Sequence, residues 1–126
     1  MLRVLYIEDN ADNRMLVRRV LMAADNADFV VNEADSAAKG IAMAQANPPD
    51  LILMDLSMPE MDGLSATRLL RTIPELRDIP IVALTANAME KDRDRSLEAG
   101  CDGYIRKPID IDKFPEEILQ YVRRVK

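Results

Sequence analysis

The segment LILMDLSMPEMDG, residues 51–63, runs from four apolar residues into an acid and then into a turn. A short, continuous apolar run of this kind is typical of a strand buried on both faces of a parallel sheet. Asp55 follows the run directly, and Pro59, Asp62 and Gly63 favour a turn that leads into a helix. A carboxylate at the end of a buried strand is costly to desolvate, so its neighbours should indicate its role.

Four further apolar runs alternate with segments of helical periodicity. With LILM (51–54), the predicted strands are RVLYI (3–7), FVVNEA (29–34), IVALT (81–85) and GYIR (103–106). The predicted helices are 12–24, 36–47 with Ser36 as N-cap, 63–72 with Asp62 as N-cap, 89–100 ending at Gly100, and 110–125 with Pro115 in the first turn. Five strand–helix units predict an α/β fold, a doubly wound parallel sheet with helices on both faces.

Length and charge limit the classes of function. The 126 residues suffice for one domain, which we expect to span 1–126 with no output domain. The net charge of −5 argues against nucleic-acid binding, and no apolar run is long enough for a membrane span. The chain has no histidine, and its single cysteine, Cys101, is expected to be a small structural residue in a reducing cytoplasm.

Polar residues follow four of the five predicted strands. Glu8 and Asp9 follow strand 1, Asp55 follows strand 3, Thr85 ends strand 4, and Lys107 follows strand 5. Each of them alone is more typical of a cap, a turn or the surface. Because parallel sheets bind ligands at the carboxyl ends of their strands, together they predict a site there.

The residue types at this edge point to phosphoryl transfer. Three clustered carboxylates repel one another and need a cation, and oxygen ligands with room for water favour Mg2+. A carboxylate can itself act as a nucleophile, while Mg2+ and a lysine offset charge on the phosphoryl oxygens. Asp55 is therefore the candidate nucleophile, with Lys107 beside it.

Four motifs carry a resemblance over essentially the whole chain. They are YIEDN (6–10), DLILMDLSMPEMDG (50–63), PIVALTANAM (80–89) and GCDGYIRKPI (100–109). At these residues the chain resembles the receiver domains of two-component response regulators, and in particular DivK-type stand-alone regulators and the receivers of hybrid kinases. The resemblance implies a flavodoxin-like sheet of strand order 2-1-3-4-5. It also implies a phosphorylation-activated signalling switch, and not a conventional enzyme.

The resemblance implies a role for each site residue. Asp55 would be the phosphoacceptor, and Asp9 and Asp55 would bind Mg2+ with the backbone carbonyl of Ser57. Glu8 would act on the metal through water. Thr85 and Lys107 would contact the phosphoryl group.

The resemblance also extends to the switch and the partners. Tyr104 matches the switch aromatic of the family, although an aromatic in a strand is more often a packing residue. The Lys107–Pro108 bond is often cis in such domains. The phosphoryl donor would be a sensor histidine kinase or a histidine phosphotransfer protein, and downstream proteins would bind the phosphorylated form.

Two alternative classes of function are a metal-dependent phosphatase or phosphotransferase and a scaffold. A Mg2+-dependent phosphatase or phosphotransferase of the haloacid dehalogenase class also uses an Asp nucleophile after a strand. That class requires a second Asp two residues later, where this chain has Ser57. A scaffold that is never phosphorylated would be favoured if Asp9, Asp55 or Lys107 were missing, and all three are present.

Overall fold

The computed structural model describes residues 1–25, 27–56, 61, 63–85 and 90–125, without the side chains of 90–93 and 123–125. Strands and helices alternate through these residues as five strand–helix units. The strands are β1 (Leu2–Ile7), β2 (Phe29–Ala34), β3 (Leu51–Asp55), β4 (Ile81–Thr85) and β5 (Gly103–Arg106). The helices are α1 (Ala11–Met22), α2 (Ala37–Ala46), α3 (Gly63–Arg71), α4 (Glu90–Ala99) and α5 (Phe114–Val125).

The sheet confirms the predicted fold class. Its five strands are parallel and lie in the order β2-β1-β3-β4-β5, so the chain reverses its direction of winding after β2. β3 and β4 are buried along their whole length, as continuous apolar runs predict. None of the described helices is long and apolar enough to cross a lipid bilayer.

Two apolar clusters lie on opposite faces of the sheet. The first cluster, under α2 and α3, includes Ile52, Met54, Ala66 and Leu70. The second, under α1 and α5, includes Tyr6, Val17, Leu53 and Phe114. Because side chains alternate along each strand, odd and even positions of β3 contribute to different clusters.

Most predicted helix ends agree with the structure, and one does not. The Ser36 side chain accepts a hydrogen bond from the backbone N–H of Lys39, which confirms it as N-cap of α2, and Gly100 ends α4 with φ +113°. The predicted start of α5 at Asp110 is wrong, because the helix begins at Phe114. Asp110 Oδ1 instead accepts hydrogen bonds from the backbone N–H groups of the next turn.

Other expectations on the helices have mixed outcomes. Pro115 does lie in the first turn of α5, as expected. Leu16 is 41% exposed, although helical spacing places it on one face of α1 with the buried Val17 and Leu21. The predicted N-cap Asp62 lies outside the described residues.

Cys101 is buried in the first cluster, as its expected structural role requires. Burial raises the pKa of its thiol, although a hydrogen-bond contact with Thr67 acts in the opposite direction. The neutral thiol is therefore packed as a small apolar group.

Arg71 joins the C-terminal ends of α3 and α4 on the edge opposite to the polar strand ends. Its Nε donates to the Gly100 carbonyl at 2.8 Å, and its Nη1 donates to the carbonyls of Arg77 and Ile79 at 2.8 and 2.7 Å. Its Nη2 pairs with Asp102 Oδ2 at 2.9 Å. One side chain thus satisfies three backbone carbonyls that helix and loop ends would leave without partners.

We expect Arg71→Ala to lower the free energy of unfolding by about 2–3 kcal/mol, because a charged donor is removed from the partly buried carbonyls of Gly100 and Ile79. Urea unfolding measures this directly. The matched control is Arg68→Ala, an exposed arginine on the same helix, which should change stability by less than about 0.5 kcal/mol. Equal effects of the two changes would contradict this role for Arg71.

Candidate functional site

The site is built on neighbouring strands of the sheet. β1 and β3 are paired, so the residues at their carboxyl ends are adjacent. Alternation along β3 puts Asp55 on the same face as Leu53, which belongs to the cluster under α1 and α5. Glu8, just after β1, lies two residues beyond Tyr6 and faces the same side.

Three carboxylates and one ammonium meet at this edge. Glu8, Asp9 and Asp55 each offer an oxygen, and these oxygens lie within 4.8 Å of one another. Glu8 and Asp55 are only 1% and 2% exposed, whereas Asp9 is exposed. The Lys107 ammonium donates to Glu8 Oε1 at 2.9 Å and to Asp55 Oδ1 at 3.1 Å. These four strand-end residues therefore form one cluster.

Burial and charge determine the protonation of the cluster. Burial raises the pKa of Glu8, and the neighbouring Asp55 adds to the rise, while Lys107 and Asn13 act against it. Burial alone would lower the pKa of Lys107, but its hydrogen bonds with Glu8 and Asp55 outweigh that effect, and its pKa is raised. Lys107 is thus held as an ammonium between two buried carboxylates.

Thr85 lies at the same edge of the sheet. β4 pairs with β3 so that Leu84 is opposite Asp55, and Thr85 is the next residue. Thr85 is 6% exposed, and its carbonyl accepts a hydrogen bond from the Lys107 backbone N–H at 2.8 Å. The ends of β3, β4 and β5 are therefore linked residue by residue.

Tyr104 shares a face of the sheet with Thr85. It lies opposite Ala83 in the pairing of β4 with β5, and Ala83 precedes Thr85 by two residues. The Tyr104 ring is partly buried and packs against the cluster under α2 and α3. The Lys107–Pro108 peptide bond is cis, in agreement with the resemblance.

Three residues that the sequence did not assign to the site hold Glu8 in place. Tyr6 Oη and Asn13 Nδ2 donate to Glu8 Oε1 at 3.1 and 2.8 Å. Arg14 Nη1 donates to the Glu8 carbonyl at 2.7 Å and its Nε pairs with Glu33 at 3.5 Å. The spacing of Tyr6 from Glu8 was a usable signal, since residues two apart on a strand face the same side.

Gly63 allows α3 to begin against the end of β3. A Cβ at this position would collide with the Asp55 backbone carbonyl and would lie 2.8 Å from the Leu56 side chain. The close approach explains why α3 begins with a glycine. The predicted ligand carbonyl of Ser57 lies outside the described residues.

The donor set fits a hard divalent cation. All three carboxylates supply oxygen, and the exposure of Asp9 leaves one side of the cluster open to water. One ammonium faces three carboxylates, so a cation would reduce their mutual repulsion.

The chain belongs to the response regulator receiver domain family, whose family model matches residues 4–119. It is similar to the polar-differentiation response regulator DivK of Brucella ovis, with 39% identity over 119 residues that cover 94% of each chain. DivK of Brucella anthropi is 38% identical over the same length and coverage.

Two solved structures extend the comparison. The receiver domain of a sensor histidine kinase from Pseudomonas aeruginosa is 31% identical with a TM-score of 0.86, covering 97% of this chain and 98% of that one, and holds a coordinated magnesium ion in its active site cleft. The chemotaxis protein CheY4 of Vibrio cholerae is 27% identical with a TM-score of 0.84, and the match covers 100% of this chain and 99% of that one.

We expect Glu8→Gln to raise the unfolding temperature of the metal-free protein by a few degrees at neutral pH. The change removes one of two neighbouring buried carboxylates, leaves Asp55 as the counter-ion of Lys107, and keeps an oxygen that can accept the same hydrogen bonds. A raised folded-state pKa means that wild type loses stability as pH rises above the ordinary glutamate value, because the unfolded state releases its proton first. The advantage of the variant should therefore shrink in acid. Calorimetric scans from acid to neutral pH test this, and a less stable variant at neutral pH would contradict it.

Proposed function

We propose that this protein is a phosphorylation-activated switch that accepts a phosphoryl group on Asp55. The observation that carries the proposal is the cluster of Glu8, Asp9 and Asp55 with the Lys107 ammonium bonded to two of them. The donor would be the phosphohistidine of a sensor histidine kinase or of a histidine phosphotransfer protein. The family membership supports this donor class.

The transfer step uses the Asp55 carboxylate as nucleophile. One Asp55 oxygen attacks phosphorus, a P–O bond forms, and the P–N bond to the donor imidazole breaks. The imidazole nitrogen keeps the electron pair and takes a proton from water. Asp55 suits this role because it ends a rigid, buried strand, which fixes the direction of its carboxylate.

The surrounding residues offset the charge of the phosphoryl group. Mg2+, held by Asp9, Asp55 and the Ser57 carbonyl with Glu8 acting through water, would supply positive charge at the phosphoryl oxygens. Lys107 already bonds to Asp55 Oδ1, so a short movement would bring its ammonium to a phosphoryl oxygen. The compact, mobile head of lysine suits this better than the planar head of arginine.

Phosphorylation would be transmitted through Thr85 and Tyr104. A phosphoryl group adds roughly −1.5 to −2 charge and strong acceptor oxygens, which would draw the Thr85 hydroxyl toward Asp55. The shared face of Thr85 and Tyr104 supports the next step, in which Tyr104 turns inward and the surface formed by α4, β5 and α5 changes shape. Phosphate would then bias two states that already coexist.

The protein would catalyse only its own phosphorylation and dephosphorylation, and the phosphatase alternative lacks the second aspartate of its class. The buried, reduced Cys101 supports a cytoplasmic location.

We expect the protein to gain one phosphoryl mass when it is incubated with acetyl phosphate and Mg2+. Asp55→Asn should lose the gain, because an amide is a far weaker nucleophile. The matched control is Asp35→Asn, an exposed acid after β2 that pairs with Lys39 outside the cluster, which should be phosphorylated as wild type is. Intact-protein mass spectrometry distinguishes these outcomes.

Two results would contradict the assignment. A phosphoryl mass retained in Asp55→Asn would mean that another residue is the phosphoacceptor. Turnover of generic phosphate esters, with no phosphoprotein detected, would favour the phosphatase alternative.

We expect Thr85→Ala to accept phosphate and to lose most of the coupling to partner binding. A coupling of about 1–3 kcal/mol, or 5–150-fold in partner affinity, is ordinary for such switches. Partner affinity is measured with and without phosphate in wild type, Thr85→Ala and Tyr104→Ala. Full coupling in Thr85→Ala would rule out transmission through Thr85 and Tyr104. Full coupling in Tyr104→Ala alone would mean that Thr85 transmits the signal without Tyr104.

A further inference from the structure

Glu8 Oε1 is the most heavily bonded atom of the acidic cluster among the hydrogen bonds described above. It accepts from Tyr6 Oη at 3.1 Å, from Asn13 Nδ2 at 2.8 Å and from Lys107 Nζ at 2.9 Å. Lys107 also bonds to Asp55 and belongs to the transfer chemistry. Tyr6 and Asn13 have no such role, so their convergence on one oxygen needs a separate explanation.

The Tyr6 hydroxyl is held rigidly beneath the site. Its ring is fully buried in the cluster under α1 and α5, where it packs with Val17 and Leu53. A buried tyrosine hydroxyl needs a hydrogen-bond partner, and here that partner is Glu8. A phenylalanine would fill the same apolar space, so the hydroxyl serves the carboxylate and contributes little to the packing of the core.

Asn13 reaches the same oxygen from the first turn of α1. The start of this helix is fixed by its cap, since the Asn13 backbone N–H donates to Asn10 Oδ1 at 3.0 Å. The Asn13 amide therefore approaches Glu8 from a defined direction, on a different element from Tyr6.

We infer that Tyr6 and Asn13 are positioning residues for the cation site, because their hydrogen bonds to Glu8 Oε1 fix this carboxylate and leave its second oxygen for a cation or its bound water. The inference rests on the proposed function, in which Glu8 acts on a bound Mg2+. Three donors saturate Oε1, so Oε2 is the oxygen that can face a cation or its water. Partners of this kind commonly change metal affinity 10–100-fold when they are removed.

The direct test is the dissociation constant of Mg2+, measured by isothermal titration calorimetry and by the Mg2+-dependent rise in unfolding temperature. Tyr6→Phe removes one hydroxyl and keeps the buried ring, and it should weaken Mg2+ binding by about 10-fold. The matched control is Tyr121→Phe, the same change on α5, which should bind as wild type does. Asn13→Ala should weaken binding in the same direction as Tyr6→Phe.

A double-mutant cycle separates positioning from a general loss of stability. If Tyr6 acts through Glu8, then Tyr6→Phe should have no further effect on Mg2+ affinity in a Glu8→Ala background, which has no side-chain oxygen for Tyr6 to hold. An additive loss in the double variant would overturn the inference. So would Mg2+ affinities of Tyr6→Phe and Asn13→Ala within about twofold of wild type, well below the change expected of such partners.

The same measurements distinguish this inference from the proposed function. If wild type does not bind Mg2+, the proposed function and the inference both fail. If wild type binds Mg2+ and both variants bind it equally well, only the positioning roles of Tyr6 and Asn13 fail.

Discussion

The ammonium of Lys107 is the interaction on which the site depends, because it lies between two buried carboxylates that would otherwise repel each other. Its hydrogen bonds to Glu8 and Asp55 are 2.9 and 3.1 Å long and link the ends of three strands. One ammonium does not balance three carboxylates, and the remaining imbalance makes the cluster suitable for a divalent cation and then for a phosphoryl group. The charge repulsion that remains in the metal-free protein is therefore the basis of its proposed chemistry.

The fold creates this arrangement through parallel pairing and alternation. Parallel strands bring all carboxyl ends to one edge, and alternation along each strand assigns each side chain to a face. The Asp55 side chain lies on the face of the sheet covered by α1 and α5, where Tyr6 and Asn13 donate hydrogen bonds to Glu8. The Thr85 side chain lies on the same face as Ala83 and Tyr104. Asp55 and the proposed relay through Thr85 and Tyr104 are therefore close at the edge of the sheet but lie on opposite faces of it.

Much of the fold was predictable from the sequence because its signals are local and repeated. Short runs rich in apolar, β-branched and aromatic residues placed β2, β4 and β5 at their observed bounds, and Ser36 and Gly100 marked helix ends through capping chemistry. The start of α5 was misplaced because Asp110 forms a turn through its side chain, which competes with helix formation in a way that periodicity does not reveal.

The cluster at the strand ends was predicted from topology, since four strands bring polar groups to one edge. The roles of Tyr6 and Asn13 were not, because each also fits an ordinary structural position, one in a buried strand and one on a helix. Only distances distinguish a packing tyrosine from one that donates to Glu8. Pairwise geometry of this kind depends on how two elements meet, which a single sequence leaves open.

A crystal structure with Mg2+ and beryllofluoride, which stands in for a phosphoryl group on a carboxylate, tests most directly whether Asp55 accepts the phosphoryl group. We expect a tetrahedral beryllofluoride on an Asp55 oxygen, with Lys107 Nζ moved from Asp55 to hydrogen-bond a fluoride. Beryllofluoride bound elsewhere, or bound to Asp55 with Lys107 still bonded only to Glu8 and Asp55, would contradict it.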